Sequence, residues 1–533
     1  MSYVIAYDIG TTGVKTCIFK IGESIELVAG ESGAYPLFVL PNGGAEQEPN
    51  DWWEQMCITT KVVLDKSGIK PEQIEGISFC SQAQGVVLVD KDGKPVRRAM
   101  SYMDQRATEE VKKGISYGLQ IAGANIFKLI PSLMITGAVT SSAKDPVWKY
   151  KWVEAHEPEV FKKIYKWLDV KDYLICRCTK EFTMTDDTAF GTLIYDNRPK
   201  KGGKFSKKMC KMFNINMDHL PRIIRSTEVA GLLCEEAANE LGLVKGIKVF
   251  GGGGDSSLIG IGAGATQVGD THIYVGTSGW VITVTDKRMV DTSAMIAAIT
   301  GADAGKYNYF AEMETAGKCY EWVHDHMALD EINLYLDQNQ KHQGFEGKKR
   351  TMYEFLNETI KDIEPGSNGV IFTPWLHGNR CPFEDPLCTG MFFGLKIETR
   401  KRDMIRAVLE GIYYHLRWML ECHEKKLDIK DSIRFVGGGA LSPIAAQILC
   451  DILGKKLEVV EHPQNVGAMG AAALMGIGLG LIKDFDSVKG YIPVKATFEP
   501  NPKNHTKYEK YYQTFKQLHD ANKKQFKMIQ GVK

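Results

Sequence analysis

The chain has 533 residues, too many for one ordinary hydrophobic core, so its length points to two large domains or several smaller ones. Hydrophobic residues make up 44% and charged residues 25%, which excludes disordered, collagen-like and coiled-coil classes. Lysine plus arginine is 66 and aspartate plus glutamate is 65, a net +1, so no global field draws the chain to nucleic acid or to an anionic membrane.

In chain order, residues 3–20 read as two β-runs around a glycine turn. Residues 51–67 carry helical spacing of apolar side chains, and so do residues 158–173. Residues 75–80 and 86–90 read as strands on either side of Gln82-Ala83-Gln84-Gly85, and Asp90-Lys-Asp-Gly93 has hairpin-turn chemistry. A strand then ends in four glycines and an aspartate, Gly251 to Asp255, and the main domain boundary is expected there. Residues 271–285 are β-like, 402–422 form a strong amphipathic helix, and Ser432–Val436, 442–453 and Lys456–Val460 read as strand, helix and strand. The alternation predicts α/β architecture. The expected units are 1–254, 255–490 and a helical tail over 491–533, whose lysines read as a solvated helix face.

The twelve cysteines contain no CxxC pair and no zinc spacing, and read as small buried apolar residues of a reducing compartment. No secretory leader precedes the first β-run, and the apolar stretch 471–482 is short and glycine-rich. The cytoplasm is the expected location. No Gly-x4-Gly-Lys-Ser/Thr loop occurs, and neither Gly260-Ile-Gly-Ala-Gly264 nor Gly476-Ile-Gly-Leu-Gly480 supplies a whole dinucleotide-binding unit.

The informative feature is an internal repeat. Asp8-Ile-Gly-Thr-Thr-Gly13 and Tyr274-Val-Gly-Thr-Ser-Gly279 each sit between two β-runs, one near the head of each half. One such turn is a plain hairpin as readily as a site. Two in register predict a duplicated domain with a ligand between the copies. The hairpins offer backbone N–H groups and hydroxyls in one concavity, which is what phosphate oxygens need. Asp8 in the first copy has no counterpart in the second, where Tyr274 stands. It reads either as a carboxylate holding Mg²⁺ through water or as a turn-capping residue, with Lys15 placed to meet a phosphate. Asp255 reads as the base that accepts a hydroxyl proton, as an N-cap, or as both. Phe435-Val-Gly-Gly-Gly-Ala-Leu-Ser442 either lays a flat ring against the backbone or is a tight strand-to-helix turn.

Taken together, the chain resembles the FGGY family of carbohydrate kinases. The resemblance runs from about residue 3 to 481. It is carried by Gly390-Met-Phe-Phe-Gly-Leu395 with Asp403-Met-Ile-Arg-Ala-Val-Leu-Glu410, and by the near match Pro146-Val-Trp-Lys-Tyr-Lys-Trp-Val153. It implies an α/β fold of duplicated ribonuclease-H-like, actin-like domains with an interdomain cleft, using ATP and Mg²⁺. It implies Asp8 at the metal, and Thr11, Thr12, Lys15, Gly276 and Thr277 at the phosphates. Gly317, Gly438 and Gly439 would then line the nucleotide site, with Asp255 as catalytic base.

Within the family the chain is most similar to xylulokinases, through Lys171-Asp-Tyr-Leu174 and the run from Pro374 through Arg380 to Pro382. It departs from them on the sugar side. Gln82-Ala83-Gln84-Gly85 stands where Gln-Met-His-Gly is usual, as in L-xylulokinase-type relatives, and Tyr102-Met103-Asp104 stands where Trp-Asn-Asp is usual. Ala83, Gln84, Asp104 and Asp255 are therefore the expected substrate contacts, with a ketopentose or related polyol as the substrate. Gln84 and Asp104 also read as plain turn residues. The competing reading is a non-catalytic nucleotide-responsive binding protein on the same scaffold. A homodimer is compatible with the composition, which does not decide oligomeric state.

Overall fold

The structure is a computed structural model that describes residues 2–121, 123–199, 201–327 and 352–530. The first sheet begins as a meander of β1 (Ser2–Ile9), β2 (Gly13–Ile21) and β3 (Ile25–Ala34). β4 (Ile74–Ser81) runs parallel to β1 on its other side, followed outward by β6 (Lys248–Phe250) and β5 (Val229–Leu232). The short β7 (Gly253–Gly254) also pairs with β4. β1 is apolar along nearly its whole length because both faces of the sheet are covered.

Helix α1 (Pro49–Ser67) lies on one face and buries Trp52, Met56 and Val63. Two of its threonines meet the sheet through hydroxyl–hydroxyl bonds, Thr60 to Tyr7 and Thr59 to Thr16, each 2.7 Å. The helix ends at Gly68 in the left-handed conformation, where the Gly68 N–H reaches back to Leu64.

The second sheet repeats the plan. Its strands are β8 (Thr271–Val275), β9 (Gly279–Thr285), β10 (Val290–Asp291), β11 (Ile296–Thr300), β12 (Tyr307–Met313), β13 (Ser432–Val436), β14 (Lys456–Val460) and β15 (Val494–Phe498). They are ordered β10-β11-β12-β9-β8-β13-β14-β15, so β8, β9, β12 and β13 stand to one another as β1, β2, β3 and β4 do.

The helices that matter to the site are α2 (Pro146–His156), α3 (Val170–Thr179), α4 (Asp186–Gly191), α5 (Asp255–Gly262), α6 (Gly317–Met327), α7 (Lys401–Glu424), α8 (Pro443–Leu453), α9 (Val466–Gly478) and α10 (Pro502–Gln530). α9 is apolar all round and buried from Val466 to Gly476. It belongs to the second half of the sequence, yet it shares a core with Val4, Ala6, Cys17 and Phe19 of the first sheet. It crosses α5 backbone to backbone: a Cβ at Gly262 would lie 1.9 Å from the Val466 carbonyl oxygen, and one at Gly470 would lie 2.1 Å from that of Leu258. Alanine at either position would force the helices apart, at a cost of about 1–3 kcal/mol or more.

Two expectations change. Residues 158–173 are not one helix: a short helix, Pro158–Phe161, gives way to a strand, Lys166–Leu168, that pairs with Val87–Val89, and α3 then starts afresh after Asp169. Helical spacing was present, but Trp167 and Leu168 find better burial against the second strand. Residues 491–533 are not simply a helical tail, because β15 completes the second sheet. The following α10 exposes its lysines except Lys516, which is half-buried against Glu421 and Tyr512, and it buries Tyr508, Tyr512, Phe515, Leu518 and Phe526 on its other face. The expected boundary at 254/255 falls between β7 and α5. All twelve cysteines are free, and Cys57 and Cys234 are the two not fully buried. Among the described residues no helix is long and apolar enough to cross a membrane.

Candidate active site

The β1–β2 and β8–β9 hairpins end in the two Gly-Thr-Thr/Ser-Gly turns. Each turn has its carbonyls tied from behind. In the first, the Tyr35 hydroxyl donates to Gly10 O at 2.6 Å and to Gly13 O at 3.0 Å, while the Gln47 side-chain amide donates to Thr11 O at 2.7 Å. In the second, Gly317 N donates to Gly276 O at 2.9 Å, and Ala316 N and Lys318 N both donate to Thr277 O at 3.1 Å. Gly317 is required there, since a Cβ on it would lie 2.3 Å from Gly276 O. At both turn tips the threonines Thr12 and Thr277 are exposed. Thr11 is half-buried, its hydroxyl 3.5 Å from that of Tyr102.

Asp8 and Lys15 are cross-strand partners in the first hairpin. Burial raises the Asp8 carboxyl above its ordinary range, while Lys15 and the thiol of the buried Cys80, its partner on β4, pull it back down. The Lys15 ammonium donates to Gln464 O at 2.7 Å, just ahead of α9. In the second hairpin the matching pair is Tyr274 and Trp280, stacked with ring centroids 4.0 Å apart.

Asp255 opens α5 directly after the glycine strand, and its carboxylate accepts from the Ser256 N–H at 2.7 Å. Burial, reinforced by the charges of Asp8, Glu312 and Asp187, pushes it up to about 7. Asp8 and Asp255 thus occupy one electrostatic site. Among the described residues no group of three or more His, Cys, Asp or Glu side chains forms a cage for a bare ion.

Two of these neighbours were not legible in the sequence. Asp187, on α4, accepts from Thr185 at 2.6 Å and from Gly254 N at 2.8 Å, and so fixes the peptide just before Asp255. Glu312, on β12, is bound by Arg380 at 2.8 Å. Each comes from a distant segment, and neither sits in a spacing that marks it.

The loop Gln82–Gly85 reaches the residue just before Asp255. Ala83 packs against Gly254, and Gln84 is half-buried with φ 63, the left-handed region. Asp104, an expected substrate contact, lies on the neighbouring segment. It is fully buried, and its carboxylate accepts from Ala45 N at 2.9 Å and from the Arg106 guanidinium at 3.0 Å. That ion pair, shared with Glu46, braces the segment, and the exposed neighbour Tyr102 faces the carboxylates of Asp255 and Glu312.

The third glycine element turns from β13 into α8. Gly439 abuts the Val275 side chain, whereas a Cβ on Gly438 would project into open space, and Gly438 is exposed. Gly438, Gly317 and Gly276 therefore border the same edge of the second hairpin, Gly317 through its bond to Gly276 and Gly438 through the packing of Gly439 on Val275.

Comparison with known proteins agrees with this geometry. The N-terminal domain of the FGGY family of carbohydrate kinases matches residues 3–262, and its C-terminal domain matches residues 272–479. A xylulose kinase of Staphylococcus epidermidis is 28% identical, covering 98% of this chain and 97% of its own. One of Lactococcus lactis is 30% identical over 97% of each. The crystal structure of a ligand-bound xylulose kinase from Lactobacillus acidophilus superposes with a TM-score of 0.83 at 24% identity, covering 99% of this chain and 100% of that one. The paired sheets are thus the duplicated actin-like, ribonuclease-H-like architecture, and the chain belongs to the FGGY family of carbohydrate kinases: it is an enzyme that uses ATP to phosphorylate a sugar.

Proposed function

We propose that the chain transfers the ATP γ-phosphoryl group to a terminal hydroxyl of a ketopentose or a closely related polyol, with Asp255 as the general base. The observation that carries this reading is Asp255 at the start of α5, within the electrostatic reach of Asp8 of the first hairpin, next to Gly254 that packs on Ala83, and lifted to about 7. A base with that affinity is ionised for a useful fraction of the enzyme near neutrality and still takes a proton readily. The xylulose kinases among its relatives fit this substrate class and disfavour a purely binding role.

Thr11, Thr12, Gly276 and Thr277 receive the phosphates, with Lys15 paired to one of them. Gly317, Gly438 and Gly439 border the nucleotide. Ala83, Gln84, Tyr102 and Asp104 line the sugar side, with Asp104 held by Arg106. The residues fit a Mg²⁺ ion. Asp8 is a half-buried carboxylate whose charge reaches that of Asp255, with Lys15 opposite it across the hairpin, and Mg²⁺ is ordinarily held by one or two carboxylates, waters and substrate phosphates. Asp8 would hold it, and the ion would neutralise charge on the transferring phosphoryl group. Asp255 takes the hydroxyl proton at its carboxylate while Ser256 N–H orients the other lone pairs. Asp187 keeps the Gly254 peptide, and with it Asp255, in register.

A coupled ADP-release assay over a panel of pentuloses, hexuloses and polyols tests the reading. Gln84 offers an amide, and Ala83 leaves room beside it. The preferred substrate should therefore differ from D-xylulose in its hydroxyl pattern. Ala83→Met with Gln84→His should move kcat/KM back toward D-xylulose by roughly fivefold to a hundredfold, the worth of one well-made polar contact of about 1–3 kcal/mol. An unchanged ratio in the double variant would remove these positions from specificity, and the absence of sugar-dependent ADP release over the whole panel would remove the substrate class.

A further inference from the structure

Lys149, on α2, is fully buried, and its ammonium donates to two backbone carbonyls: Gln84 O at 2.9 Å and Ser101 O at 2.8 Å. Gln84 belongs to the sugar-side loop, and Ser101 immediately precedes Tyr102. One ammonium therefore ties together the two segments that face the sugar. On the other side of Gln84, the Asp169 carboxylate, 3% exposed, accepts from Gln84 N at 2.9 Å through one oxygen. Its second oxygen accepts from Gly85 N at 2.9 Å and from Val170 N at 2.8 Å, which also starts α3. The peptide groups on both sides of Gln84 are thus gripped by opposite charges, at a residue whose left-handed backbone is costly for any side chain bearing a Cβ.

A buried lysine is an expensive way to fill a core, because burial pulls its ammonium down, here to about 8 even with the charges of Asp104, Asp169 and Asp145 drawing it back up. Burial likewise lifts the Asp169 carboxyl, to about 7. A methionine would fill the same volume without that cost. What methionine lacks is a donor for two carbonyls 17 residues apart in sequence. The charge is accounted for by the loop conformation it imposes.

We propose that Lys149 and Asp169 are positioning residues for sugar recognition: together they hold Gln84 in its left-handed conformation and lock it to the Tyr102 segment, so that sugar affinity depends on two groups that need not touch the sugar. The proposal rests on the assignment of the Gln82–Gly85 loop to the sugar side.

The test is Lys149→Met in the full chain, with Lys149→Gln as a second variant that keeps one donor. Two readouts are taken: the KM values for the best panel sugar and for ATP, and amide hydrogen exchange without ligands. Exchange over 82–85 and 101–104 should rise tenfold or more, while both glycine hairpins stay as protected as in the unmodified enzyme. The sugar KM should rise tenfold or more with the ATP KM within twofold, and Lys149→Gln should fall between. Unchanged exchange over 82–85 overturns the proposal. So does a parallel rise in both KM values, and so does loss of folding in both variants, since each reduces Lys149 to a general core residue. Faster exchange with an unmoved sugar KM leaves the clamp but removes the loop from the sugar site, which is failure of the assignment beneath it.

Discussion

The two glycine hairpins share a backbone plan but place opposite chemistry at one cross-strand position. The first has Asp8 facing Lys15, a charged pair; the second has Tyr274 stacked on Trp280, an aromatic pair. Tyr274 sits close enough to Asp8 and Asp255 for their charges to raise its phenol further above the ordinary range. A second carboxylate at 274 would add like charge to a site that already holds Asp8, Asp255, Glu312 and Asp187. Duplication supplied two hairpins of one plan, and the asymmetry gives one a charged pair and the other an aromatic stack.

The largest effect should come from the proposed base, Asp255. Asp255→Asn should lower kcat by about 10²–10⁴-fold, the usual contribution of a positioned base, with sugar and ATP binding retained by calorimetry. Turnover within tenfold of the unmodified enzyme would show that the proton leaves by another route. Next, Asp8→Asn should lower turnover by about tenfold to a hundredfold and shift the Mg²⁺ activation curve to higher concentration. If the two curves coincide at low Mg²⁺, Asp8 is a turn residue and the hairpins are equivalent.

The pH profile sharpens the same contrast. The Asp255 carboxyl lies near 7, above its ordinary range, and must be ionised to act. Sugar kcat/KM should therefore fall by about tenfold per pH unit below 7 and level off above it. A profile flat from pH 5 to 8 excludes Asp255 as the titrating base. The smallest effect is expected at Tyr274→Phe, which keeps the stack and removes only the hydroxyl: kcat should stay within about twofold, with thermal stability unchanged. A loss comparable to that of Asp8→Asn would mean that the second hairpin also contributes directly to the chemistry.

How much of this was legible in the sequence depends on how local each signal is. The hairpins, the glycine strand before Asp255 and α7 are written in contiguous residues, and each has its expected shape in the fold. The burial of Asp104 was not legible because it rests on Arg106 together with Glu46, and the latter is far away in the chain. Lys149 lies 65 residues from Gln84, and nothing in the spacing of α2 announces that its ammonium reaches a loop carbonyl. Asp187 and Glu312 acquire their places through tertiary pairing alone. Residues 158–173 show the limit of periodicity, since the same apolar positions serve a helix or a strand until a partner strand decides.

The glycine crossing of α5 and α9 has a consequence for how the molecule can be divided. α9 is supplied by residues 466–478 but lines the first sheet, and its sequence is apolar on every side. A fragment ending at residue 262 would leave that sheet face open to water, and the complementary fragment would carry an oily helix with nothing to lie on. The two halves therefore form a single cooperative unit in spite of their repeated plan. Genetic cuts between them should yield insoluble pieces that recover only when both are produced together.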